Sequence, residues 1–278
     1  MNFNKVNNLV GWIVCAIACS VYLLTMEATA SLWDTGEFIS SVYKLQIPHP
    51  PGAPLFVLLG RLFVVVFGGS NPAIAVNIMS ALSSGFTILF LFWTITHFAK
   101  KLVAPGGITP SSQQTFAIMS AGAVGALAYT FSDSFWYSAV EGEVYALSSL
   151  FTAVVFWAIL KWEHHADDKG ADKWIVFIFF MMGLSIGVHL LNLLTIPAIV
   201  MVYYYKRYQP TAWGTFWAFI IGCLITGFVQ VVVIQWSVKL AGWFDIRFVN
   251  LLGMPFFSGF IFFFVLLGVL MFFGLRIA

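Results

Sequence analysis

The sequence contains few charged residues. Asp, Glu, Lys and Arg together make up 9% of its 278 residues, whereas hydrophobic residues make up 61%. Soluble domains usually carry about 25% charged residues. The shortage of charge therefore excludes an ordinary soluble domain, and a formal net charge of +2 excludes a general attraction to nucleic acid. We expect an all-α integral membrane protein whose partners include membrane lipids and no nucleic acid.

The sequence is also poor in cysteine and in common catalytic motifs. Cys15, Cys19 and Cys223 lie inside apolar runs, which favours packing roles over disulfide bonds. There is no phosphate-binding glycine-rich loop, no CxxC pair and no serine nucleophile elbow. No organic cofactor is therefore expected, and the chemistry is left to carboxylates, histidines and arginines.

Long apolar runs predict a polytopic helix bundle of about eight spans. Roughly 18 apolar residues are enough to cross a bilayer as a helix. The stretch 174–205 is too long for one span, so we interpret it as a hairpin that turns near Gly187-Val188-His189. The predicted spans are 9–26, 73–98, 115–131, 144–160, two within 174–205, 212–235 and 255–274.

The first apolar run has two interpretations. Lys5, the run 9–26 and the small residues 28–30 resemble a secretory signal with its cleavage site. The run is longer than a usual signal core, however, and Glu27 directly precedes the small residues. We favour a first helix that is retained in the protein.

The stretch 55–67 is predicted to lie along the membrane surface. It has only 13 residues, and a charge at the position of Arg61 would be costly inside the bilayer. With this helix at the interface and the N-terminus in the cytoplasm, nine of the 13 basic residues fall on the inner side. The positive-inside rule expects that bias. We therefore predict a first outer loop, 27–72, that contains interfacial helices.

Two carboxylates in this loop carry the strongest chemical signal. Asp34 and Glu37 stand three residues apart, a spacing that puts both side chains on one face of a helix. One carboxylate can accept a proton from an incoming hydroxyl while the other orients that hydroxyl. A capping box, with Asp34 as N-cap, is a compatible alternative. We predict Asp34 and Glu37 as catalytic residues; the pair can also hold a divalent metal, which the spacing alone does not indicate.

Further polar residues are predicted to bind substrate. Two adjacent prolines restrict His49, which suits contact with a phosphate or a hydroxyl. The guanidinium of Arg61 can pair with two phosphate oxygens. Each residue also has a structural alternative. His49 can be an ordinary loop residue, and Arg61 can extend its charge toward the lipid headgroups. Glu141 and Glu143 can belong to a solvated loop with interfacial aromatics, and His189 can be a packing residue. The predicted substrate-binding residues are His49, Arg61, Glu141, Glu143, Tyr145, His189 and Arg247.

A second cluster of ionisable residues is interpreted as an ordinary loop. His164-His165 and Asp167-Asp168 fall in the charged inner stretch 161–173. Adjacent residues do not face one ligand on a helix. We therefore expect solvated side chains here rather than a metal site.

Five motifs resemble a family of bacterial polytopic membrane proteins, long catalogued as of unknown function, that is related to an animal protein O-mannosyltransferase. The resemblance implies a GT-C-like fold, in which an acidic motif occupies the first outer loop. It also implies one transmembrane domain over 1–278, with its catalytic loop at 27–72. GT-C enzymes usually have more spans, which leaves three interpretations open: a C-terminally incomplete fragment, a split subunit or a reduced relative. The motifs are LWDTGEF at 32–38, YKL at 43–45, HPPGAPL at 49–55, VEGEVY at 140–145 and GLSIGVH at 183–189.

The same resemblance implies a membrane glycosyltransferase. The enzyme would move a sugar, for example mannose, from a polyprenyl-phosphate donor to a hydroxyl of a protein or glycan acceptor. Asp34 matches the presumed base of an inverting displacement, and Glu37 matches its companion. The expected location is the bacterial inner membrane, with the active site facing the periplasm. The alternatives are a transporter or lipid flippase, and a non-catalytic assembly subunit.

Overall fold

The computed structural model describes residues 2–277, and helices are the only regular elements in that range. The predicted all-α fold is confirmed. Two compact units are present, one ending at Pro210 and the other starting at Thr211. The first unit contains α1 (Phe3–Thr25), α2 (Thr35–Lys44), α3 (Pro54–Phe67), α4 (Pro72–Val103), α5 (Ser112–Thr130), α6 (Asp133–Val140), α7 (Val144–His165), α8 (Asp172–Ile186) and α9 (Ile196–Arg207). The second contains α10 (Ala212–Phe228), α11 (Ser237–Leu252) and α12 (Ser258–Ile277).

Helix α4 is the centre of the first unit. It packs against α1, α3, α5, α6 and α7. Its Val76, Ile88 and Phe92 are fully buried. Close approach of α1 depends on Gly85, because a Cβ there would overlap Cys19 Sγ and come within 3.2 Å of the Cys19 backbone. Small residues allow such close contacts between membrane helices.

Several helices are long and apolar enough to cross a membrane. Four qualify within the described residues: α1, α4, α7 and the continuous helix Ala212–Leu252. A fifth span is possible if α5 and α6, which meet at an angle of 67°, act as one broken span. These helices indicate an integral membrane protein. The other predicted spans fall on the shorter helices α8, α9 and α12, so the count of eight stays a prediction, as does the interfacial position of α3.

The predicted hairpin turns between α8 and α9. Helix α8 begins beside the last part of α7, where the Trp174 and Trp157 rings lie 5.7 Å apart. Helix α9 ends beside the same part of α7, where Tyr203 stacks on Trp162 at 5.2 Å. The chain therefore returns to the end of α7 from which it started. A 3₁₀-helix, Leu190–Thr195, connects the two helices.

The predicted end of a span at position 235, with a loop carrying Lys239, Asp245 and Arg247 after it, is wrong. Helix α10 continues through a π-helical stretch, Val229–Trp236, into α11, so that Lys239, Asp245 and Arg247 lie on a helix. No proline interrupts this stretch before Pro255. The 41 residues extend about 61 Å at 1.5 Å per residue. This length is about twice the roughly 30 Å thickness of the hydrocarbon core. The helix is therefore long enough for Lys239, Asp245 and Arg247 to lie outside the lipid.

Asp245 connects α11 to the start of α12. Its carboxylate accepts hydrogen bonds from the backbone N–H groups of Phe257 at 3.2 Å and Gly259 at 3.1 Å. Gly259 also lies directly against the Phe244 backbone. A carboxylate at a helix N-terminus satisfies unpaired N–H groups and favours the helix dipole. Asp245 therefore stabilises the helix pair of the second unit.

We predict that Gly85→Ala destabilises the first unit by about 1–3 kcal/mol, because the added methyl group overpacks the α1–α4 contact. Gly183→Ala is the matched control, since a Cβ at Gly183 meets no atom within 4 Å and alanine favours a helix. Thermal unfolding in detergent measures both. Equal melting temperatures for the two variants would contradict the proposed role of Gly85.

Candidate active site

Hydrogen bonds attach the loop between α1 and α2 to other elements. The side chain of Asn77, on α4, donates from Nδ2 to the backbone oxygens of Glu27 at 2.7 Å and Thr29 at 3.3 Å. The backbone N–H of Glu27 donates to Val140 O, at the end of α6, over 3.0 Å. Asn77 is fully buried. The loop that leads to Asp34 therefore has a fixed position relative to α4 and α6.

The start of α3 contacts the break between α8 and α9. Gly187 O accepts hydrogen bonds from the backbone N–H groups of Leu55 at 2.7 Å and Phe56 at 3.2 Å. A Cβ on Gly187 would lie 2.9 Å from Leu55 Cβ, so this approach requires glycine. The three regions that carry the sequence motifs, 27–55, 140–145 and 183–189, thus meet at one end of the first unit.

Asp34, Glu37 and His49 form the centre of this region. Glu37 Oε1 accepts a hydrogen bond from the His49 backbone N–H at 2.6 Å, and its Oε2 lies 2.9 Å from His49 Nδ1. One ligand atom from each of the three side chains lies within 4.8 Å of the others. Glu37 is 42% exposed and His49 45% exposed, so both are accessible to a substrate. We call Asp34, Glu37, His49, Glu141 and Glu143 the acidic cluster.

The capping box is not formed. Asp34 occupies the N-cap position of α2 but accepts no capping hydrogen bond. Glu37 would have to reach back to the Asp34 backbone, but both of its oxygens are bonded to His49. The Asp34 carboxylate therefore has no capping role and stays available for a ligand.

The bond between Glu37 and His49 shifts both pKa values. The hydrogen bond from His49 lowers the pKa of Glu37 from its ordinary value of 4.5. The bond to Glu37 raises the pKa of His49 above 6.5, and the charges of Asp34 and Glu143 raise it further. A nearby opposite charge favours the charged form of each group. The pair is therefore ionised from below pH 4.5 to above pH 6.5.

Glu141 and Glu143 approach Asp34 from the start of α7. Ser31 Oγ donates to Glu141 Oε2 at 2.6 Å, and Thr35 Oγ1 lies 3.4 Å from Glu143 Oε1. Glu143 is only 6% exposed. Its burial raises its pKa above 4.5, and the charges of Glu141 and Asp34 add to that shift. Four carboxylates thus share one region with one histidine.

Three residues of this region were missed by the sequence analysis. Ser31 and Thr35 flank Asp34 and connect it to the two glutamates, with 3.1 Å between their own hydroxyl oxygens. Asn77 positions the loop from α4. Thr35 was visible within the motif at 32–38, and Ser31 directly precedes that motif. Nothing local in the sequence distinguishes Asn77 from a packing residue of a span.

Tyr145 and His189 contact each other, with ring centroids 5.2 Å apart. His189 Nδ1 also accepts the backbone N–H of Leu191 at 3.2 Å, which caps the 3₁₀-helix between α8 and α9. That bond gives His189 a structural role. The position of Tyr145, two residues after Glu143, places this aromatic pair beside the acidic cluster.

The two predicted arginines have other contacts. Arg61 Nη1 donates to Tyr43 O at 2.6 Å, in the last turn of α2. Asp34 is at the opposite end of that helix, about 13 Å away at 1.5 Å per residue. Arg247 belongs to the second unit, where its guanidinium carbon lies 3.7 Å from the Trp243 ring centroid. Substrate contact by either arginine stays a prediction.

The side chains of Asp34, Glu37 and His49 are chemically able to hold a divalent cation. Two carboxylates and one imidazole are common ligands of Mn²⁺ and Zn²⁺. Coordination through His49 Nδ1 would replace its hydrogen bond to Glu37. The present arrangement is a hydrogen-bonded ion pair that uses the same atoms.

We predict that Glu37→Gln lowers the pKa of His49 toward 6.5. The bond to Glu37 is the main cause of the raised pKa of His49, and burial of the imidazole opposes the remaining charges of Asp34 and Glu143. NMR titration of protein labelled at histidine measures the shift. Glu163→Gln, in the last turn of α7, is the control and should leave His49 unchanged. An unaltered His49 pKa in Glu37→Gln would show that the bond is absent in the membrane.

We also predict that Glu143→Gln raises the melting temperature at pH 7. Because burial raises the pKa of Glu143, ionisation favours the unfolded chain, and the free energy of unfolding falls as the pH rises above 4.5. The amide keeps the shape of the side chain without its charge. Melting temperatures of both proteins between pH 4 and pH 8 test this. A variant that melts below the wild type at pH 7 would contradict it.

Comparisons with known proteins agree with the resemblance. The family described as the Protein O-mannosyl-transferase TMEM260 N-terminal domain matches residues 34–212. Protein O-mannosyl-transferase TMEM260 of Mus musculus is 27% identical over 173 residues, which are 62% of this chain and 22% of the mouse protein. Protein O-mannosyl-transferase tmem260 of Dictyostelium discoideum is 25% identical over 142 residues, 50% of this chain and 15% of that protein. No solved structure matches the chain.

The matched region begins at Asp34 and contains every residue of the acidic cluster. The chain spans less than a quarter of the length of these two relatives. The predicted relationship to an animal protein O-mannosyltransferase is confirmed. The match covers more than half of the 278 residues, and the chain belongs to the family of the Protein O-mannosyl-transferase TMEM260 N-terminal domain.

Proposed function

We propose that this chain is the catalytic membrane domain of a glycosyltransferase, with Asp34 as its base. The observation that carries the proposal is the group of accessible ionisable side chains, Asp34, Glu37 and His49, whose ligand atoms lie within 4.8 Å of one another. Its relatives are named protein O-mannosyl-transferases. We infer the same class of reaction here, with mannose as the leading candidate for the sugar.

The proposed donor is a sugar on a polyprenyl phosphate, and the acceptor is a hydroxyl of a protein or glycan. Asp34 takes the hydroxyl proton as the acceptor oxygen attacks the anomeric carbon. The bond from that carbon to the phosphate oxygen breaks, and its electron pair leaves with the phosphate. Attack from the side opposite the phosphate inverts the anomeric configuration. General-base catalysis of this kind contributes about 10²- to 10⁴-fold in rate.

His49 is the best-placed group to meet the leaving phosphate. Its pKa is raised by Glu37, so the imidazolium is favoured, and its Nδ1 is fixed by Glu37 at 2.9 Å. Among the described residues, none accepts a hydrogen bond from Nε2, which is therefore free to donate to a phosphate oxygen. The Arg61 guanidinium instead bonds Tyr43 O, about 13 Å along α2 from Asp34, so we assign the phosphate contact to His49.

The position of the acids supports an enzyme over a transporter or lipid flippase. Transporters hold ions and substrates near the bilayer midplane, at broken helices. Asp34, Glu37, Glu141 and Glu143 instead precede or begin helices at one end of the first unit. A lipid-linked sugar presents its anomeric carbon at the headgroup level, where such a surface cluster can reach it.

The topology completes the proposal. We place the N-terminus in the cytoplasm and the acidic cluster on the periplasmic side of a bacterial inner membrane, with α2 and α3 at that interface. The bias of basic residues supports this orientation. We further propose a GT-C-like arrangement of about eight spans over 1–278.

We predict that Asp34→Asn lowers sugar transfer at least about 100-fold without lowering the melting temperature. The asparagine keeps the size of the side chain but cannot accept the proton. Transfer from a labelled polyprenyl-phosphate mannose to an acceptor peptide, in native membranes, measures the effect.

Asp133→Asn is the matched control, because Asp133 is an exposed acid at the start of the neighbouring α6. It should retain wild-type transfer. Wild-type rates in a folded Asp34→Asn protein would exclude Asp34 as the base. An absence of transfer by the wild-type protein with each polyprenyl-phosphate sugar tested would overturn the proposed function itself.

A further inference from the structure

A large cleft lies at the other end of the first unit from the acidic cluster. Its volume is about 1040 Å³, and it is formed by the start of α1 and the ends of α4 and α7. Along α4, Lys100 in the cleft follows Asn77 by 23 residues, about 35 Å of helix. That length matches a hydrocarbon core of roughly 30 Å. A membrane that places the acidic cluster at one surface therefore places this cleft at the opposite surface.

The cleft carries positive charge that is not neutralised. Lys100, Lys101 and Lys161 line it. Lys101 Nζ is paired with both oxygens of Glu163 at 2.6 Å. Across residues 2–277, Lys100 and Lys161 have no carboxylate within ion-pair distance. Two full positive charges thus remain available to a ligand.

Aromatic rings hold these two lysines without removing their charge. Lys100 Nζ lies 4.9 Å from the Phe3 ring centroid, and Lys161 Nζ lies 5.2 Å from that of Trp157. A cation above an aromatic face is attracted to the ring and keeps its charge. Lys100 on α4 and Lys161 on α7 both line the cleft, as does His164. The positive charges therefore converge on one place from two helices.

The predicted loop at His164 and His165 was wrong, whereas the expected solvent exposure holds for His164. Helix α7 continues to His165, because the stretch Lys161–His165 contains no glycine or proline that would end it. Both histidines consequently line the cleft next to Lys161. Their ring nitrogens add further hydrogen-bonding capacity to the site.

The walls of the cleft are apolar as well as basic. Trp12, Trp93 and Trp157 line it, and Trp12 is 51% exposed. Tryptophan is enriched where a protein meets the lipid headgroups. A volume of this order is typical of ligand pockets, which hold roughly 300–1,000 Å³. Indole walls with two unpaired ammonium groups suit a ligand that is apolar at one end and anionic at the other.

We propose that this cleft binds the phosphate-bearing headgroup of an anionic membrane lipid. The ammonium groups of Lys100 and Lys161 contact the phosphate oxygens, and the indoles contact the glycerol and the upper acyl chains. A soluble phosphate compound shares the phosphate chemistry but would not use the indoles. The site is separate from the acidic cluster, and its occupation does not depend on the proposed transferase activity.

Native mass spectrometry of the protein from micelles with equal phosphatidylglycerol and phosphatidylcholine tests the proposal. The wild type should retain one phosphatidylglycerol in preference to phosphatidylcholine. Lys100→Gln/Lys161→Gln should weaken that retention roughly tenfold or more, at about 1 kcal/mol per lysine. Lys100→Arg/Lys161→Arg should preserve it. His164→Glu, which adds an acid to the cleft and leaves both lysines in place, should also weaken it.

Lys5→Gln/Lys169→Gln is the matched control. Both residues are exposed, lie at the same end of the first unit and do not line the cleft. Equal loss of phosphatidylglycerol from the control and the cleft variant would reduce the effect to net charge and overturn the proposal. Wild-type retention without preference for phosphatidylglycerol would also overturn it. Binding of inorganic pyrophosphate without phosphatidylglycerol would show a soluble ligand and exclude the lipid assignment.

Discussion

The packing of α4 against helices on several sides is the constraint on which the first unit depends. Its buried face includes residues along almost its whole length, from Val76 to Phe92 and beyond. Gly85 lets α1 approach it closely, and Asn77 bonds the loop that leads to Asp34. One helix therefore sets both the spacing of the bundle and the position of the candidate active site.

The acidic cluster brings several carboxylates close together, and hydrogen bonds offset part of the resulting charge repulsion. Burial raises the pKa of Glu143, and the neighbouring charges of Glu141 and Asp34 raise it further. Ser31, Thr35 and His49 offset part of that repulsion by bonding to the carboxylates. Titratable groups whose environments push their pKa values apart are typical of catalytic sites. Here the pKa of Glu37 is lowered and the pKa of Glu143 is raised within one region.

The two ends of α4 have opposite electrostatic character. One end holds carboxylates that favour a base and a hydroxyl acceptor, and the other holds lysines that favour phosphate. A bilayer-spanning helix keeps these sets apart by about 35 Å, which prevents them from neutralising each other. The same helix that forms the core thus separates an acidic surface from a basic one.

Periodicity and composition alone determined the class of the fold, most of the helix positions and the residues worth testing. Apolar runs predicted α1, α4 and α7, and the excessive length of the run 174–205 predicted the turn at Gly187. The motif at 32–38 indicated Asp34 and Glu37. The boundaries failed where no proline or glycine marked them, as in α11 and the end of α7. In both places, charged residues that were predicted to form a loop are part of a helix.

Only the tertiary structure decided which side chains meet. Glu37 could cap its own helix or bond His49, and the choice depends on how the loop 45–53 folds back. Arg61 was the stronger candidate for the phosphate in the sequence, but its guanidinium bonds Tyr43 O, about 13 Å along α2 from Asp34. Asn77 and the lysines of the cleft are ordinary in the sequence, because their roles come from residues that are distant in the chain and adjacent in space.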